Sequence, residues 1–187
     1  MDPAALASRM RDHYVAEFRC FVQTQVAICP QGVPELKLRL SEKCALFDRL
    51  YCVDFIRGGS PSPIVEFAPK YILIFDALRA TFGNSLLLMK HLRWDDVLIR
   101  HDVDQPPYDD LAKWFRSWFD PEDERHDPNG DVSKMIHSML LQLGLLSIDF
   151  GTAPPDAFWE ILQVLENAGA ARIEIGSSEA EPNHLVQ

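Results

Sequence analysis

LLSIDFGTAPPDAFWEILQVLENAGAARIEI, residues 145–175, is the stretch on which the fold turns. Leu145 to Phe150 is a short apolar run that reads as a strand. Pro155 suits the first turn of a helix. Phe158, Ile161, Leu162 and Leu165 then recur three and four residues apart until Gly169 closes it. Ala171 to Ile175 is a second strand. A strand, a helix and a strand this close together are expected to form a β-α-β unit near residues 145–175, its two strands parallel in one sheet through a right-handed crossover.

Working back from that unit, Asp131 can cap a helix with the stripe Val132, Met135, Ile136, Met139, Leu140 and Leu143, ended by Gly144. Asp120 to Gly130 is a charged loop, and Pro107 to Phe119 a helix with Asp109 and Asp110 in its first turn, where the macrodipole favours them. Val97 to Val103 reads as a strand; Ser85 to Leu92 carries no decisive pattern. Pro69 to Phe82 contains the strand-like YILIF. Tyr71, Phe75, Leu78 and Phe82 nevertheless fall at helical spacing before Gly83, and the spacing predicts a helix.

Ile64 to Phe67 is a candidate strand after the loop GGSPSP, residues 58–63. Ser41 is expected to cap a largely buried helix running to Ile56, because its apolar set is too wide for a surface stripe. Glu35 to Leu40 alternates, which predicts a strand with Leu36, Leu38 and Leu40 inward and Glu35, Lys37 and Arg39 outward. Asp2 and Pro3 open a first helix that should reach about Ala27.

The pattern as a whole predicts an α+β fold: a helix-rich single domain over residues 1–176 with a small mixed sheet, and a loosely ordered tail over residues 177–187. A chain of 187 residues can bury about 70% of its unfolded surface, enough for a core without staples. Cys20, Cys29, Cys44 and Cys52 form no C-x-x-C pair and read as buried free thiols of a reducing cytoplasm. No apolar run is long enough to span a bilayer, and the first residues lack the apolar core of a secretory signal.

The net charge of −10 is regional. Asp95 to Asp131 holds 12 acidic against 4 basic residues, whereas residues 1–94 are slightly basic. Such a surface repels phosphate backbones, so nucleic acid is not expected as a partner, and without a spanning run neither is a membrane.

Motifs for chemistry are scarce. There is no dinucleotide or Walker glycine pattern, no G-x-S-x-G elbow and no zincin helix. Asp149-Phe150-Gly151 matches a kinase tripeptide without any other kinase part, and reads as a strand end turning at glycine. Asp127 to Asp131 lacks the first ligand and the spaced glutamate of a calcium loop. His101-Asp102-Val103-Asp104 is the best metal candidate, with Asp149 or His126 completing the shell. His137, beside its helix stripe, reads as a boundary residue.

What remains is an acidic, aromatic stretch. Leu111, Trp114, Phe115 and Trp118 share a helix face near Trp94, flanked by Asp109, Asp110, Asp120, Glu122, Asp123 and Glu124. The aromatics read either as core with a solvated acidic rim, or as interface anchors ringed by one sign of charge. The leading expectation is a non-enzymatic, cytoplasmic protein that binds a basic protein through Trp114, Trp118 and these acids. Its most concrete form is an immunity-type inhibitor of a toxin, with no cofactor and no bound metal. The alternatives are a metal-dependent hydrolase using Asp102, Asp104 and Asp149, and a small adaptor subunit of a larger assembly.

Overall fold

The computed structural model describes residues 2–59, 63–125 and 130–178. Over these described residues it is an α+β fold of three helices and two sheets, with about 32% helix and 28% strand. Helix α1 (Pro3–Ile28) starts as the sequence implies, with the Asp2 carboxylate accepting the Ala4 and Ala5 N–H groups. Strands β1 (Val33–Arg39), β2 (Leu50–Ile56) and β3 (Ile64–Val65) form a small antiparallel sheet in that order. The remaining strands are β4 (Leu78–Phe82), β5 (Ser85–Met89), β6 (Val97–His101), β7 (Ser138–Gln142), β8 (Leu145–Asp149) and β9 (Arg172–Gly176). They make a six-stranded mixed sheet in the order β4-β5-β9-β6-β8-β7. Helix α2 (Tyr108–Phe119) follows β6, and α3 (Pro155–Asn167) joins β8 to β9.

The closing unit carries a refinement. β8 and β9 do run parallel, but β6 lies between them, antiparallel to both. The crossover therefore skips a strand, and β9 finds its parallel partner in β5. Register aligns the buried residues of the large sheet across its strands: Leu87 with Ile173, Ile99 with Ile175 and Leu146, Met139 with Ile148. That apolar face packs into one core with all three helices. The opposite face carries Arg79, Arg100, Arg172 and Glu174.

Three expected helices are absent, and they enlarge the sheets. Ser41–Ile56 is irregular up to a short 3-10 turn at Phe47–Arg49 and then becomes β2. Leu50, Cys52, Val53 and Phe55 are all buried, so β2 is apolar on both faces and its period of two is erased. Over Pro69–Phe82, residues 69–77 are irregular and 78–82 form β4. Over Asp131–Leu143 the chain is irregular up to β7.

Gly83 (φ +57°) and Gly144 (φ +70°) sit in the two-residue turns of the hairpins β4–β5 and β7–β8. A helix C-terminus and a tight hairpin both need a left-handed residue, which is why each glycine read as a helix stop. Gly83 has a further reason to be glycine: a Cβ there would lie 2.4 Å from the Glu166 carboxylate, which accepts the Asn84 N–H.

Two smaller expectations also change. In β1 the buried residue is Glu35, at a positive φ of 48°, while Leu36 and Leu38 are half-buried. Of the four free cysteines only Cys52 is buried; Cys20 and Cys44 are exposed and Cys29 is intermediate. At the far end, Ser177 is buried and Ser178 donates to Asp96, so packing continues past Gly176. The rest of the expected tail, from residue 179, lies outside the described residues, as does the calcium-like stretch up to residue 129.

Candidate functional site

Helix α2 places the acidic stretch. Leu111, Trp114, Phe115, Trp118 and Phe119 form its buried face. Both indoles are anchored by their N–H groups: Trp114 donates to the Ala157 carbonyl at 2.9 Å and Trp118 to Glu160 at 2.6 Å. Arg125 lies over the Trp118 ring, 5.0 Å from its centroid, leaving the residue 8% exposed. The tryptophans thus hold α2 against α3, and the exposed surface of this region carries Asp109, Asp110, Glu122 and Glu124 together with Lys113, Arg116 and Arg125.

Those acids divide by role. Asp120 is the left-handed residue that ends α2, and its carboxylate accepts the Glu124 and Arg125 N–H groups at 3.0 Å each. Lys37 on β1 donates to the Asp120 carbonyl and pairs with Asp123 at 2.5 Å. Asp120 and Asp123 therefore shape the loop and fasten it to the small sheet. Glu122 and Glu124 are exposed on that loop. At the other end of α2, Asp104, Asp109 and Asp110 are exposed, and Asp110 pairs with Lys113 at 3.0 Å. Twelve helical residues put about 18 Å between the two acidic ends.

The carboxylates of the hydrolase alternative do not converge. Asp102 accepts the Ala171 and Arg172 N–H groups at 2.9 and 3.1 Å, clipping the end of β6 to the start of β9. Asp149 lies at the opposite end of the antiparallel pair β6–β8, since Val97 faces Ile148 and Arg100 faces Leu145. About six residue steps, or roughly 20 Å, separate Asp102 from Asp149. His126 lies outside the described residues. Among the described residues, no group of three His, Cys, Asp or Glu side chains is arranged to hold a metal ion.

A different polar cluster appears where sequence reasoning placed nothing. His137, just before β7, is 1% exposed rather than at a boundary. Its Nε2 is 3.1 Å from Glu35 on β1. Its Nδ1 lies 3.2 Å from Asp54 on β2 and 3.8 Å from Asp149 on β8. Glu35 also accepts from the Thr152 hydroxyl and, at 2.7 Å, from the Ser133 N–H. Gly151 leaves room for the imidazole, since a Cβ there would come within 2.1 Å of the ring.

Burial alone would lower the His137 pKa, but Cys52, Asp149, Asp54 and Glu35 around it raise it well above its usual value. Burial pushes the Cys52 thiol up to about 12, so that thiol is neutral near pH 7 and the carboxylates supply the charge. Burial also pushes Asp149 up to about 7. For Glu35 the upward push of burial is outweighed by His137, Thr152 and Ser133, which hold it below the usual carboxylate range. The result is an imidazolium among carboxylates that ties β1 and β2 to β7 and β8.

With Glu35 and His137 both sealed, this cluster works as a polar joint between the two sheets. Its members come from positions 35, 54, 137, 149 and 152, and no local pattern marked them: Glu35 falls in the polar phase of its alternating strand, beside Lys37 and Arg39. No family model matches the chain, and no curated protein or solved structure matches it either.

Proposed function

We propose that this chain is a non-enzymatic protein-binding protein of the immunity-inhibitor type, which docks a basic partner such as a toxin through the acidic surface at the two ends of α2. The observation that carries the reading is the division of labour in this region. The indoles and Asp120 are committed to the fold, while Asp109 is exposed in the first turn of a helix that the core holds, and Asp104, Glu122 and Glu124 are exposed in the segments flanking its two ends. A preorganised, net-acidic surface, here with Lys113, Arg116 and Arg125 as its exposed basic residues, accelerates encounter with an oppositely charged protein and costs little ordering on binding. A toxin that acts on nucleic acid presents a positive cleft, which such a surface complements.

The test uses capture on the immobilised chain from an extract of the source cell, followed by kinetics with the purified partner. Association should slow as salt rises. Reversing Asp109, Glu122 and Glu124 to lysine should slow it further, with dissociation little changed. Asp123 is spared because it pairs with Lys37. A partner whose association ignores both salt and the triple reversal would refute the reading.

A subunit role in a larger assembly is the second reading, favoured by the apolar side chains of Tyr71, Ile72 and Ile74, which are exposed on one segment.

A further inference from the structure

The two edges of the six-stranded sheet are treated differently. At β7 the edge is covered: Leu46 bridges Leu140, and the Cys52 N–H donates to the His137 carbonyl at 2.7 Å. At the other edge stands β4, Leu78-Arg-Ala-Thr-Phe82. Its turn to β5 has two residues and closes on the pair Phe82–Ser85. Such a turn closes on a hydrogen-bonded pair, so Phe82, Ala80 and Leu78 direct their main-chain groups to β5, and Arg79 and Thr81 direct theirs outward. Among the described residues, no hydrogen bond engages the outward main chain of Arg79 or Thr81. The strand has no proline and no inward charge; Arg79, exposed on the outer face, is its one charged residue.

We propose that β4 is a self-association edge on which a second copy of this chain pairs antiparallel about Ala80, joining two six-stranded sheets into one. This inference is independent of the acidic-surface reading.

The sequence of β4 selects a second copy over other strands because it is complementary to itself in one register. Centred on Ala80, Arg79 pairs with the second copy's Thr81 and the reverse, so the open groups make four hydrogen bonds with none left over. Leu78 then faces the second copy's Phe82, on the side where Phe82 stacks on Trp159 at 5.8 Å. Opposite each arginine stands a threonine, so no like charges meet directly.

A five-residue strand spans only about 17 Å, and a stable interface buries about 800 Å² per partner. The segment leading into β4 supplies further apolar surface: Ile74 is 89% exposed, Tyr71 70% and Ile72 43%. An exposed apolar group of this size next to an open edge is the mark of an interface.

Analytical ultracentrifugation across a wide concentration range tests the proposal. The wild type should sediment as a dimer in equilibrium with monomer. Thr81→Pro removes an outward N–H that the β4–β5 ladder does not use, so the fold should survive, as shown by an unchanged circular dichroism spectrum and melting point. Its dimer dissociation constant should rise by about tenfold or more, through the lost hydrogen bonds of both copies. Ala80→Cys places two sulfurs across the twofold axis, and mild oxidation should give a covalent dimer whose linked peptide maps to position 80.

A wild type that is monomeric at every concentration overturns the proposal, including one that instead captures a strand of another protein. So does a folded Thr81→Pro variant that dimerises as the wild type does. Should Thr81→Pro unfold, the Ala80→Cys linkage decides: its absence at position 80 overturns the proposal.

Discussion

Glu35→Ala probes the joint between the two sheets. The carboxylate is the partner of three groups, the His137 imidazolium, the Thr152 hydroxyl and the Ser133 N–H, and the substitution takes that partner from all three, leaving the imidazolium with Asp54 and Asp149 alone. Removing one member of a buried pair costs about 3–5 kcal/mol, because the other charge stays buried with less compensation. The positive φ at residue 35 is as awkward for alanine as for glutamate, so the backbone cost cancels. At 2–4 °C per kcal/mol for a chain of this size, melting should fall by about 6–20 °C.

The loss should also depend on pH. Glu35 titrates below its usual range, so its stabilising effect is present above about pH 4.5 and is lost as pH falls through its native value. His137 titrates above its usual range, so its effect is complete below about pH 6.5 and is lost as pH rises through its native value. The gap between wild type and variant, measured by urea unfolding, should be widest between about pH 5 and 6.5 and should narrow on both sides. A loss under about 1 kcal/mol that is flat with pH is what a surface pair would give, and would refute the buried joint.

Trp118→Ala should lower the stability of the free protein by about 3–5 kcal/mol in thermal melts, since the ring is core between Glu160 and Arg125. Asp149→Asn should flatten the fall in wild-type stability between about pH 4 and 7, because a carboxyl raised to about 7 in the native state destabilises the fold progressively as pH rises through that window; chemical unfolding at stepped pH reads it. Thiol labelling of the native protein should modify Cys20 and Cys44 quickly and leave Cys52 unreacted, since its thiol is buried and held up to about 12. Asp120→Ala should remove two loop hydrogen bonds from a left-handed position and cost about 1–3 kcal/mol, with faster proteolysis after Phe119.

The helices that were legible in the sequence carry their own boundary chemistry. Asp2 and Pro3 open α1, Asp109 and Asp110 begin α2, and Pro155 and Gly169 bracket α3. Those signals act within a few residues, as do those of the strands: the alternation of β1 and the short apolar runs of β6, β8 and β9. The hydrophobic stripe of α2 likewise identified Trp114 and Trp118 as a unit, although a stripe alone does not say whether a core or a partner covers it.

Tertiary structure decided the rest, because the deciding contacts are distant in sequence. β2 is buried on both faces by elements before and after it, so its composition could not display a strand's period. Gly83 and Gly144 need a left-handed conformation that helix ends and hairpins share, and only cross-strand pairing distinguishes the two. His137 became the centre of a buried joint because the chain brings Glu35, Asp54, Asp149 and Thr152 to it across as many as 102 positions. Local sequence records what a residue prefers among its neighbours; which charges meet inside the protein follows from the order of strands, which no local preference encodes.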